Sequence, residues 1–111
     1  MNKKISALMI IGSLVCSAGI AKAADAAELW TKNCVSCHAA DGSGSTTMGK
    51  KYGVKDYRDA KVQADITDEK ATQAITDGIT EDGKTKMKPF KEKLTPEEIK
   101  SLVAYVRTLK K

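Results

Sequence analysis

Cys34-Val35-Ser36-Cys37-His38 constrains this chain more than any other stretch of it. Residues three and four apart share one face of a helical turn. A single turn therefore aims both thiols at the same side of a flat ring, and His38 follows Cys37 directly. The pattern C-x-x-C-H is the attachment signature of a c-type haem. Each thiol adds to a vinyl group and becomes a thioether, and the imidazole reaches the iron between the two anchors. The only His of the chain lies here.

Other uses of these residues fit less well. A C-x-x-C redox site of the thioredoxin kind belongs in a βαβ context, and no alternation of strand and helix patterns is present. A zinc site needs a fourth ligand, usually Cys or a second His. The one further cysteine is Cys16, which lies in a segment expected to be removed.

That segment reads as a secretory signal peptide in three parts. Asn2-Lys3-Lys4 is a basic start, Ile5 to Ile20 is apolar or small, and Ala21-Lys22-Ala23 is an A-x-A end. Cleavage is expected before Ala24, leaving residues 24–111 as the working domain. The uncharged run is at the short edge for a membrane span. Ser13-Leu14-Val15 ahead of Cys16 does not resemble a lipobox. The mature chain then keeps two cysteines, both in the motif, and export to the periplasm is expected. Haem attachment systems that act on such motifs work outside the cytoplasmic membrane.

Residues 24–111 make one small domain. Its apolar supply is modest, with one Trp, one Phe and three Tyr. Domains of this size often need a staple, and a buried haem would serve as one. Haem-free chain is accordingly expected to be largely unfolded. The net charge of +5 falls to +2 once Lys3, Lys4 and Lys22 leave. No basic stripe interleaved with aromatics is present, which argues against nucleic-acid binding.

The mature pattern is all-α. Asp25 is placed to cap a first helix through Ala26, Trp30 and Cys34, with Ala26, Leu29, Trp30 and Asn33 on one stripe. Residues 40–53 hold four of the eight glycines and read as a loop. Residues 54–66 read as loop with a short helical turn. Thr67 precedes Asp68-Glu69 as a cap with an acidic first turn, Ala71, Ala74, Ile75 and Ile79 recur at helical spacing, and Gly78 is the stop. Residues 80–93 read as a lysine-rich loop. Thr95-Pro96-Glu97-Glu98 is a capping box with Pro at the first helical position. Ile99, Leu102, Val103, Val106 and Leu109 follow at the spacing of one apolar face, bordered by Tyr105.

His38 fills one axial position of the iron, and no second His can fill the other. Met48 and Met87 are the methionines of the mature chain. Met48 is ten residues from His38 in a glycine-rich stretch, too near to pass round the ring. Met87, in Lys86-Met87-Lys88-Pro89-Phe90, has a helix between it and His38 and is the expected ligand. A core role is the alternative, since Met fills gaps well. A His/Met iron has no open position for substrate or oxygen, and the soft thioether favours ferrous iron and raises the potential. The implied work is one-electron transfer, with no enzyme activity. No catalytic nucleophile or acid–base pair is evident.

Across Ala24 to Lys111 the chain resembles the class I cytochromes c, particularly the small bacterial monohaem kind. The resemblance rests on Cys34, Cys37 and His38, on Ala26 and Trp30 before the motif, on Ile79 through Met87-Lys88-Pro89-Phe90, and on Ala104-Tyr105. It implies three to four helices around one covalent haem c, with His38 and Met87 as axial ligands. It also implies that Ala26 and Trp30 meet Tyr105 where the first and last helices cross. One departure stands out. Many members carry a Pro after the motif whose carbonyl accepts a hydrogen bond from the proximal His, and the only prolines here are Pro89 and Pro96. Residues 48–53 hold the corresponding place without it.

The expected partners are redox proteins such as a membrane oxidoreductase, a terminal oxidase or a periplasmic dehydrogenase, met by a monomer. Lys84, Lys86, Lys88, Lys91 and Lys93 surround Met87, joined by Lys50 and Lys51, and would suit an acidic docking surface. A lysine run that merely solvates the loop is the competing reading. Arg58, Tyr52 and Tyr57 are candidates to hold propionates. Two alternative functions share the motif: a dedicated acceptor for one periplasmic dehydrogenase, and a haem sensor or enzyme with an open distal site.

Overall fold

The computed structural model describes Gly12 and residues 18–111. The expected leader, residues 1–23, lies for the most part outside the described residues. Among the described residues no helix is long and apolar enough to cross a membrane.

The first helix, α1, spans Ala18–Asn33. It begins ahead of Asp25, which is an interior residue rather than the expected cap. Alanine is the strongest helix former, and the alanine-rich run before Asp25 carries the helix back toward the N-terminus. The helix also stops short of Cys34, which takes φ −117°, ψ −28° and starts a separate turn, α2 (Val35–His38). Ala26 and Trp30 are both buried, Trp30 to 3% exposure.

Residues 40–53, expected as loop, contain α3 (Thr47–Tyr52). Thr46 makes it possible: its hydroxyl accepts the Gly49 N–H at 2.8 Å, the role of an N-cap. Gly53 ends the helix at φ +67°. Next come α4 (Ala60–Asp65), capped by Asp59, and α5 (Asp68–Asp77), where Thr67 caps through the Lys70 N–H and Gly78 stops the helix at φ +73°, as its sequence predicts.

A second departure follows. The lysine-rich segment is an antiparallel hairpin rather than a plain loop, formed by β1 (Ile79–Glu81) and β2 (Lys84–Met87). Ile79 pairs with Met87, Thr80 with Thr85 and Glu81 with Lys84, with an irregularity after Ile79. Asp82 at φ +52° and Gly83 at φ +75° make the turn, and Asp-Gly is the pair such tight turns favour. The ribbon leaves the helical class unchanged.

The last helix, α6 (Pro96–Thr108), is the one its capping box predicts. The Thr95 hydroxyl accepts the Glu98 N–H at 3.2 Å, and the Glu98 carboxylate accepts the Thr95 N–H at 2.9 Å. Ile99, Leu102, Val103 and Val106 are buried, Leu102 to 1%. They form the core with Trp30, Phe90 and Leu94. α6 packs against α1 and α5, and the rings of Trp30 and Tyr105 meet at 5.6 Å between centroids. That contact was expected between the first and last helices. The described residues hold six helical segments rather than three or four, because α2, α3 and α4 are single turns or little more.

Candidate haem-attachment site

Cys34, Cys37 and His38 stand together at α2, where Cys34 packs against the apolar core and the His38 ring meets Trp30. Both cysteines are free thiols and partly buried. Burial, and then the neighbouring Cys37, pushes the Cys34 thiol up to about 11. Burial holds the His38 imidazole below its ordinary range, which favours the neutral ring, the form that ligates metals.

Two aromatic rings flank His38. Trp30 stands 5.5 Å away at 38°, and Tyr57 stacks at 5.3 Å and 23°. Burial, and then Cys34, raises the Tyr57 hydroxyl above its usual value. The His38 Nδ1 atom is buried and has no hydrogen-bond partner among the described residues. The stretch of residues 48–53, which lacks the proline noted above, brings no carbonyl to it.

The motif's backbone is tied down instead. Gly44 N–H donates to the His38 carbonyl at 2.9 Å. The Thr46 hydroxyl donates to the Cys37 carbonyl at 2.7 Å while capping α3. Gly49 must lack a side chain, because a β-carbon there would strike the carbonyls of Gly44 and Cys37. Trp30 Nε1 donates to the Ala39 carbonyl at 3.2 Å. Thr46 is the residue that sequence reasoning missed; a threonine three residues ahead of a glycine gives a cap signal only when the helix after it is suspected.

Met87 ends β2 and packs, partly buried, against the same apolar cluster as Cys34. The segment that follows its strand is fastened to α5 by Phe90 N–H on the Ile75 carbonyl at 2.9 Å and Lys91 N–H on the Thr76 carbonyl at 3.2 Å. Met48, by contrast, stands on α3 and is 40% exposed. Of the three residues considered for propionates, Arg58 is already engaged, with Asp56 through Nε at 3.0 Å and Nη2 at 2.9 Å and with Asp41 at 3.6 Å. Tyr52 lies under the Lys51 ammonium.

The donor set fits a covalent haem: two free thiols at the right spacing, an imidazole with an unpartnered buried nitrogen, and a thioether on the core that Cys34 also borders. A small helical domain carrying these groups belongs to the class of haem-bearing electron-transfer proteins. The cytochrome c family profile matches residues 23–110, and the chain belongs to that family. It is 34% identical over 86 residues to cytochrome c6 of Anabaena variabilis, a match covering 78% of this chain and 90% of that one. Among solved structures it is similar to the KustC0563 c-type cytochrome, with a TM-score of 0.70 and 42% identity over 78% of this chain and 98% of that one. A tyrosine-to-phenylalanine mutant of that cytochrome matches with a TM-score of 0.68. The chain is a class I cytochrome c, a carrier of covalent haem c that exchanges electrons with redox proteins.

Proposed function

We propose that the chain is a periplasmic one-electron shuttle whose haem is anchored by Cys34 and Cys37 and ligated by His38 and Met87. The observation that carries this reading is one apolar core against which Cys34 and Met87 both pack, while the His38 ring meets the core residue Trp30. Bound haem c supplies a one-electron couple. The chain's own residues hold, orient and shield it. Cys34 and Cys37 would hold the haem through two thioethers. His38 offers an imidazole that needs no deprotonation, and Met87 offers a soft sulfur that favours the ferrous state. With His38 and Met87 both given to the haem iron, no open site would remain for a substrate, which suits a carrier rather than an enzyme.

Residues 1–23 are the export signal in this reading, and residues 24–111 work in the periplasm. A membrane oxidoreductase, a terminal oxidase or a periplasmic dehydrogenase stands at either end of the transfer. Lys84, Lys88, Lys91 and Lys93 are exposed and Lys86 half-exposed, and none is in an ion pair with another described residue. They are free to meet an acidic partner surface and to steer it toward Met87. Export with cleavage and attachment is tested by the intact mass of the denatured periplasmic protein. The expected mass is that of residues 24–111 plus one haem, with the haem lost from the double variant Cys34→Ser, Cys37→Ser. A mass without haem from a host able to attach it would contradict the reading.

A further inference from the structure

Gln63 is a buried polar residue, 8% exposed. A buried amide costs free energy unless its hydrogen-bonding groups find partners, and those of Gln63 do. Nε2 donates to the Tyr57 carbonyl at 2.6 Å and to the Val106 carbonyl at 2.8 Å. Oε1 accepts from Arg107 Nη1 at 2.9 Å. Val106 lies in the last turn of α6, and its carbonyl also accepts the Leu109 N–H at 3.1 Å. Tyr57 lies in the segment before α4, and its ring is the one stacked on His38. One amide thus joins the end of α6 to the backbone of the residue that covers the imidazole.

Arg107 forms the other half of this clamp. Nη1 donates to the Gln63 carbonyl at 2.7 Å, Nη2 to the Ile66 carbonyl and to Asp68 at 2.9 Å, and Nε to Asp68 at 3.1 Å. These bonds hold the α4–α5 junction against α6. They do not touch Tyr57 or His38. Apart from the single Nη1–Oε1 bond, Arg107 bonds the backbone and Asp68 and secures the fold, while the Gln63 Nε2 bonds reach the site.

We propose that Gln63 is a positioning residue for His38, acting through Tyr57, and that it shifts the ferric–ferrous balance of the haem by holding that ring in place. The inference rests on His38 being the haem ligand. The physical route is solvent exclusion: the shell around a metal ligand controls water access and with it the redox balance. His38 Nδ1 has no carbonyl partner to fix its ring, so the stacked Tyr57 has a larger share in fixing it. Loosening the Tyr57 backbone admits water beside the imidazole, and water favours the more highly charged ferric state.

The test uses the haem-loaded protein in five forms: wild type, Gln63→Met, Tyr57→Leu, the double variant, and Arg107→Lys. Three quantities are read: the ferric-to-ferrous ratio at one fixed applied potential, the hyperfine-shifted proton spectrum of the ferric form, and the melting temperature. Gln63→Met keeps volume and removes both donors. It is expected to shift the ratio several-fold toward ferric and to move the hyperfine-shifted signals of the His38 ring. Tyr57→Leu should do the same, and the double variant should add nothing further, the mark of two residues acting in series. Arg107→Lys should lower the melting temperature and leave the ratio unchanged. An unchanged ratio in Gln63→Met, additive shifts in the double variant, or an equal shift in Arg107→Lys would each overturn the proposal. If Gln63→Met yields no haem-loaded protein, Gln63→Asn, too short to span both carbonyls, carries the same expectations. A wild-type spectrum without histidine ligation would remove the underlying reading and the proposal together, whereas an unchanged ratio with that ligation intact removes the proposal alone.

Discussion

The carbonyl oxygen of Met87 would clash with a β-carbon on Gly78, with Pro89 N only 2.8 Å and Lys88 C 3.0 Å from where that carbon would stand. Gly78 also takes φ +73°, a conformation that side chains disfavour. The end of α5 and the strand bearing Met87 are thus packed backbone to backbone. Gly78→Ala is expected to destabilise the haem-loaded protein by about 1–3 kcal/mol and to push Met87 away. Thermal melts and the sulfur-to-ferric absorption band report the two effects, and both are expected to decrease. A retained band with an unchanged melt would show that the close approach is not needed.

Ala39 follows His38 directly and takes φ +66°, ψ 163°, a region that is nearly glycine's alone. It is held there by Trp30 Nε1 and by Gly42 N–H, both on its carbonyl. Replacing it with glycine is expected to stabilise the protein by about 1 kcal/mol, the relieved strain exceeding the added freedom of the unfolded chain. Denaturant melts of the haem-loaded form should show a higher midpoint with an unchanged slope. A lower midpoint would mean that the conformation carries no strain.

Thr46 joins α3 to the Cys37 carbonyl through one hydroxyl. Thr46→Val keeps the shape and removes both bonds. A cost of about 1 kcal/mol is expected from the lost cap, with the Cys37 bond adding to it. For a domain of this size each kcal/mol lowers the melting temperature by roughly 4–8 °C. A melt within 1 °C of wild type, well under that expectation of roughly 4 °C, would assign the site's order to the glycine contacts alone.

What the sequence made legible was local. The Thr95 box and the apolar face of α6 are written in adjacent residues, and so is the Thr67 to Gly78 helix. The motif of Cys34, Cys37 and His38 is likewise contiguous. The hairpin was missed because residues 79–85 are exposed at every position, which leaves no two-residue alternation to read; Asp82-Gly83 was its one signal. α3 was hidden by its glycines, which serve packing at Gly49 and helix termination at Gly53. Asp25 looked like a cap because a boundary was expected at Ala24, while the alanine run favours continuing the helix. Gln63 and Arg107 could not be found at all, since their bonds join residues up to 44 positions apart.

Reversing lysines near Met87 tests the docking surface. Lys84→Glu, Lys86→Glu and Lys88→Glu together are expected to slow electron transfer to an acidic redox partner and to flatten its dependence on salt, because steering by exposed charge is screened within about a Debye length. Stopped-flow rates across an ionic-strength series would check this. Rates equal to wild type at every salt concentration would leave these lysines as solvating charge only.

Haem-free chain, made in a host that cannot attach haem, is expected to lose most of its helical circular dichroism, because the core of Trp30, Phe90, Leu94, Ile99, Leu102 and Val106 is small for independent folding. Retained helicity with a cooperative melt would show that the protein part folds alone.

The central claim is that His38 and Met87 together close the iron. The most direct measurement is the absorption spectrum of the purified protein, oxidised and reduced, with and without carbon monoxide. The account predicts low-spin, thioether-linked haem, a sulfur-to-ferric band, and no change on adding carbon monoxide. High-spin haem that binds carbon monoxide readily would remove Met87 as a ligand and contradict it.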